Sequence, residues 1–107
     1  MAETKTITRK TIFHLVEIDS SMKDTCVRLV DEALDKYTIE KDVATSVKKA
    51  FDEKYGGTWH CVVGRNFGCS VTHETKYLLF FQMEETYILM FCSDNPTNKP
   101  SAETETK

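Results

Sequence analysis

The sequence predicts an α+β fold: two helices packed on one antiparallel sheet, in the chain order β-α-α-β-β-β-β. Two observations carry this. Residues 22–55 hold two consecutive stripes of apolar residues at steps of three and four, the period of amphipathic helices. Residues 59–92 hold short aromatic and β-branched runs broken by glycine and polar pairs, the pattern of strands and tight turns. Helices grouped together and followed by grouped strands give a layer of helix on sheet rather than an alternating parallel architecture.

Each element follows from local chemistry. Thr11-Ile12-Phe13-His14-Leu15-Val16-Glu17 reads as a first strand. Asp19-Ser20-Ser21 supplies helix start signals, and Ser21 with Asp24 makes a capping-box-like pair. Met22, Cys26, Leu29, Val30, Ala33, Leu34 and Tyr37 form the first apolar stripe. Ile39, Val43, Ala44, Val47, Ala50, Phe51 and Tyr55 form the second, which Gly56-Gly57 ends. Trp59 to Val63 is a strand that stops at Gly64. Gly68 to Thr72 is a short strand whose small side chains bury little, so it belongs at a sheet edge, where a guest backbone can approach closely. Tyr77 to Phe81 is a continuous apolar run, the mark of a strand covered on both faces. Glu84-Glu85 is a tight connection to a last strand, Thr86 to Cys92.

The chain has 107 residues, enough for one domain and one core. Residues 1–10 read as a flexible N-terminus and 11–93 as the folded domain. Residues 94–107, with Pro96, Pro100 and repeated Thr-Glu, read as a disordered polar tail. Fourteen basic and 17 acidic residues give a net charge of −3, which argues against a nucleic-acid footprint. No apolar run approaches the ~20 residues of a membrane span. Met1 to Lys10 lacks the apolar core of a secretory signal, so a cytoplasmic setting is expected. Cys26, Cys61, Cys69 and Cys92 then read as reduced thiols rather than a disulfide framework.

Chemistry-bearing clusters are sparse. His14, His60, His73, Cys61 and Cys69 lack the close spacing of a zinc site, and adjacent His60 and Cys61 point to opposite faces of a strand, so no metal is expected. Cys69 and His73 lie four apart on an extended strand, about 13 Å between Cα atoms at about 3.3 Å per residue, beyond hydrogen-bond reach. Gly64 and Gly68 flank a strand and no Gly-Lys-Ser/Thr follows, so no phosphate loop is present. No catalytic site and no cofactor are expected. An edge strand over Phe67 to His73 can accept a guest by β-augmentation; the alternative is that it pairs within its own sheet or with a second copy.

Trp59-His60-Cys61, Val63-Gly64-Arg65-Asn66-Phe67-Gly68 and Val71-Thr72-His73-Glu74-Thr75-Lys76 resemble the signature of the small dimeric "hub" type of dynein light chain, not the Tctex or roadblock type. The likeness extends more loosely from about Thr11 to Ser93. It implies a strand-swapped homodimer, in which the strand of each copy crosses to the partner's sheet and leaves two symmetry-related grooves beside the second helix. It also implies partners in dynein intermediate chain and other disordered proteins with Thr-Gln-Thr-like motifs, and a cytoskeleton-associated location. Carried over, the groove strand is Asn66, Phe67, Gly68, Cys69, Ser70, Val71, Thr72 and His73. Glu40 and Lys41 match the helix start that receives the partner's glutamine, and Leu78, Phe80 and Leu89 match the apolar wall. His60, Phe67, Val71 and Ser93 match the dimer interface, where charging the histidine or phosphorylating the serine favours monomers.

The chain departs from the family's pattern at several points. Cys69-Ser70 stand where Ser-Tyr is usual, Tyr77 where a histidine is, Gln82 where a tyrosine is, and Glu84-Glu85 where Gly-Gln is common. Two alternative functions accompany the adaptor reading. One is a motor-independent regulator or inhibitor of another protein. The other is a thiol redox switch through Cys69.

Overall fold

The structure is a computed structural model that describes residues 7–65 and 77–93. Its elements are β1 (Thr11–Glu17), α1 (Ser20–Lys36), α2 (Glu40–Tyr55), β2 (Trp59–Gly64), β3 (Leu78–Met83) and β4 (Thr86–Cys92). The strands form one antiparallel sheet in the order β1-β3-β4-β2. The helix pair on an antiparallel sheet is the predicted layer architecture. The expected short strand Gly68–Thr72 lies outside the described residues, as do residues 1–6 and 94–107.

Register sorts the side chains into two faces, because successive strand residues point opposite ways. On the helix side, Phe13, Phe81, Ile88 and Val63 make one row across the sheet, and Val16, Leu79, Met90 and Cys61 the next. Of these, Phe81, Ile88, Leu79 and Met90, flanked by Val63 and Cys61, join Trp59, Met83 and Cys92 and meet Met22, Cys26, Val30 and Ala33 of α1 and Val43, Val47, Phe51 and Tyr55 of α2 in a single core. Phe13 and Val16 at the β1 end stay partly exposed. The opposite face carries Leu15, Phe80, Leu89 and Val62 in one row and Leu78, Phe91 and His60 in another. Of these, Leu78 is buried and Val62 remains 44 % exposed.

Three local features differ from the expected detail. The N-cap of α1 is Asp19, whose carboxylate accepts from the Ser21 N–H at 2.9 Å and from its hydroxyl; the Ser21–Asp24 capping box does not form. A bulge at His14 interrupts β1 between Phe13 and Leu15 and turns the ring to the outer face, where its Nε2 lies 3.2 Å from Gln82 Oε1. Glu84 turns the β3–β4 hairpin at φ 57°, the region a glycine would enter without strain. Its N–H donates to the Lys10 carbonyl at 2.9 Å and its carboxylate accepts from the Lys10 N–H at 3.2 Å, which offsets that strain.

Two residues of the N-terminal stretch are thereby bonded into the domain: Lys10 on the hairpin, and Arg9 on α1. The Arg9 guanidinium donates to the carboxylates of Asp31 at 2.5 Å and Asp35 at 2.7 Å. Asp31 is 2 % exposed, and this charge-assisted pairing offsets the cost of burying a carboxylate inside the helix stripe. Sequence periodicity places no partner for Asp31, since Arg9 is 22 residues away.

Candidate functional site: the outer edge of β2 and the start of α2

β2 ends the sheet. β4 pairs one of its sides, and no strand among the described residues pairs the other. The unpaired N–H and C=O groups of such an edge are a template for another chain.

The C-terminal half of the second helix is fastened to this strand by aromatic packing and hydrogen bonds. Phe51 and Trp59 meet edge to face at 4.8 Å between ring centroids, and Tyr55 packs on Phe51 at 4.9 Å. The Trp59 N–H donates to the Asp52 carboxylate and its indole N–H to the Gly56 carbonyl, both at 3.0 Å. Gly56 and Gly57 turn the chain here at φ 73° and 83°, which favours glycine. Partial burial pushes the Asp52 carboxyl pKa up, but the Lys48 hydrogen bond, the Trp59 N–H and the nearby positive charge of Lys48 outweigh it, and the net shift is downward.

The other end of α2 is open. Its N-cap is Ile39, which is 59 % exposed and offers no side-chain acceptor. Asp42 and Val43 donate to the Ile39 carbonyl, whereas the N–H groups of Glu40 and Lys41 have no acceptor among the described residues. Glu40 and Lys41 themselves are exposed. Free donors and the positive end of the helix dipole thus meet solvent here. A cleft of about 300 Å³ opens beside them, lined by Leu34, Tyr37, Glu40, Val43, Arg65 and Thr86. Arg65 stands 3.9 Å from Glu40 across its mouth, both well exposed, a contact of little energy.

The remaining sequence-predicted residues fall on a second surface. Leu78, Phe80 and Leu89 lie on the sheet face away from the helices, with His60 stacked on Phe91 at 5.0 Å. Within one chain they do not line the cleft at Glu40. Ser93 is exposed at the end of β4, and its N–H donates to the Thr58 carbonyl at 3.0 Å. Asn66, Phe67, Gly68, Cys69, Ser70, Val71, Thr72 and His73 lie outside the described residues. The missing cap of α2 escaped the sequence reading, although an isoleucine directly before Glu40 signals it.

Burial favours the protonated thiol at Cys26 and Cys61. Burial pushes the Cys26 thiol pKa well up, with the neighbouring Cys61 adding to it, and burial takes Cys61 to about 12. Among the described residues no group of three His, Cys, Asp or Glu could hold a metal ion. No described helix is long and apolar enough to cross a membrane.

A profile of the family described as dynein light chain type 1 matches residues 10–93. Among solved structures, the dynein light chain-like domain of the Fasciola hepatica calcium binding protein FhCaBP2 superposes with a TM-score of 0.70 at 19 % identity. It covers 87 % of this chain and 100 % of that one. A mercury derivative of the same domain gives 0.69 at 21 % identity, over 86 % and 100 % of the two chains. The DLC-like domain of CsTAL3 gives 0.67 at 11 % identity, over 78 % and 92 %. At these identities the structures establish a shared fold.

Proposed function

The chain belongs to the dynein light chain family, and from that premise we propose that it is a two-fold hub that clamps short linear motifs by strand addition. The family is one of non-catalytic, cytoskeleton-associated, protein-binding adaptors. In the proposed assembly two copies pack the sheet faces that carry Leu15, Phe80, Leu89 and Val62. The stretch from Asn66 to His73 of each crosses to the outer edge of the other's β2. A disordered partner then adds as a further strand beside α2, and its glutamine accepts from the open N–H groups of Glu40 and Lys41. Stacking the outer faces joins the two groups of site residues that one chain keeps apart. His60 and Ser93 then stand near the interface with Phe67 and Val71. Dynein intermediate chain and other proteins with Thr-Gln-Thr-like motifs are the expected partners, and the cytoplasm the expected setting.

The observation that carries this reading is the coincidence of an unpaired strand edge with an uncapped helix start. About five ladder bonds contribute only ~0.5–1.5 kcal/mol each. Ordering the guest backbone costs about 1–2 kcal/mol per residue. Side-chain burial must close that gap, so one groove binds at about micromolar strength. Two grooves on one dimer raise the effective affinity for a paired partner.

Calorimetry with a Thr-Gln-Thr peptide, beside sedimentation of the full chain, tests both halves. One peptide per protomer on a dimer is expected, and acid is expected to shift the mass toward monomer through His60. A dimer that gives no heat at high micromolar peptide removes the motif claim. A monomer at every concentration removes the groove.

A further inference from the structure

We propose that the cleft between β1 and the first half of α1 is a second docking site, for an extended acidic peptide segment whose side chains alternate apolar and carboxylate. It lies at the opposite edge of the sheet from the β2 edge and α2, and it stands or falls independently of that groove.

Among the described strands β1 is the other terminal one, paired by β3 on one side. Proteins usually blunt such an edge with lysine or proline. Thr11–Glu17 carries neither; its one irregularity is the bulge at His14. Instead it exposes apolar surface: Ile12 is 42 % exposed, Phe13 39 % and Val16 42 %. These are three of the five large hydrophobics exposed among the described residues, gathered on one seven-residue strand.

Beside it opens a cleft of about 530 Å³, larger than the one at Glu40 and within the range that holds several ligand side chains. Ile7, Phe13 and Val27 give it an apolar floor, and Lys23 and Arg28 stand on its rim. Neither cation has a carboxylate partner among the described residues; the Lys23 ammonium lies 4.7 Å from the Phe13 ring centroid. Arg9 also faces the cleft, but Asp31 and Asp35 already hold its guanidinium. Among the described lining residues Asp24 is the one acid beside Lys23 and Arg28. The charge balance therefore selects carboxylates, and the open edge selects an extended backbone. The walls are set before any guest arrives, because Arg9 ties the chain ahead of β1 to α1 and Asp19 caps that helix.

The test is a titration of the ¹⁵N-labelled full chain with the peptide acetyl-Glu-Val-Glu-Ile-Glu-Val-amide, followed by amide shifts. Perturbation of residues 11–17 and 23–28 is expected. Lys23→Glu with Arg28→Glu, both on the surface, is expected to weaken it at least tenfold while leaving the other amides in place. The same peptide with lysine for glutamate is expected to shift nothing. Shifts confined to residues 40–43 and 59–64, no shift at millimolar peptide, or equal response to the lysine peptide would each overturn the proposal. So would a mass that grows with concentration through β1 and is cut by the same double variant, since the occupant would then be a second copy. The Thr-Gln-Thr peptide reports on the other edge, so the two readings fail separately.

Discussion

The two ends of the sheet are built on different physics. At the β2 end, α2 is riveted by a buried aromatic trio, Phe51, Tyr55 and Trp59, while the helix's own start is left uncapped. At the β1 end, α1 has a capped start, the strand is half exposed, and a charged latch from Arg9 to Asp31 and Asp35 does the holding. Each end is rigid where the other is open. An edge can therefore be kept available for a guest in two ways, by packing the far end of its helix or by tying the chain beside it.

The largest expected effect tests the packing difference. Phe51→Ala removes a fully buried ring and is expected to lower unfolding stability by about 3–5 kcal/mol, read by chemical denaturation. Phe13→Ala, at a ring 39 % exposed, is expected to lower it by less than about 1.5 kcal/mol. Equal losses would erase the contrast.

Cutting the latch comes next. Arg9→Ala takes a hydrogen-bonded charge from buried Asp31 and is expected to cost about 1–3 kcal/mol. The same substitution at Lys23, whose ammonium lies over the Phe13 ring, is expected to change stability by about 0.5–1 kcal/mol at most.

The helix starts give a smaller and opposite pair. Asp19→Ala is expected to destabilise by about 1 kcal/mol, because the Ser21 donors lose their acceptor. Ile39→Ser supplies α2 with the cap it lacks and is expected to stabilise by about 0.5–1 kcal/mol. If the open N–H groups receive a partner's glutamine, that gain in stability comes with weaker Thr-Gln-Thr binding by calorimetry. Unchanged binding would separate the helix start from the groove.

The smallest effect is the acid dependence of the β2 end. The folded Asp52 carboxyl lies below its ordinary 3.8. Its contribution is complete above that value and is lost as pH falls through the lower folded one. Asp52→Asn is expected to flatten the acid limb of stability below about pH 4 and, by removing that contribution, to lower stability slightly near neutrality. A flattening above pH 5 would assign the acid limb to another group.

Much of this molecule was legible along the chain. Apolar stripes at steps of three and four marked both helices, and Gly56-Gly57 marked where the second ends. The hairpin at Glu84-Glu85 was visible as a polar pair between apolar runs. Pairing across distance was not legible: the Arg9–Asp31 latch spans 22 residues. No local rule predicts that a basic residue ahead of a strand will neutralise an acid inside a helix stripe.

The sequence by itself determined the number and kind of described elements and their apolar faces, because periodicity, caps and turns act within a few residues. It also carried the family likeness in Trp59 to Arg65, which the match over residues 10–93 bears out. Only the tertiary structure decided which strands end the sheet, which helix start stays open, and that Glu40 and Leu89 lie on different surfaces of one chain. Strand order and face depend on which distant segments find each other in the core, and that choice is made by packing the whole rather than by any stretch of it.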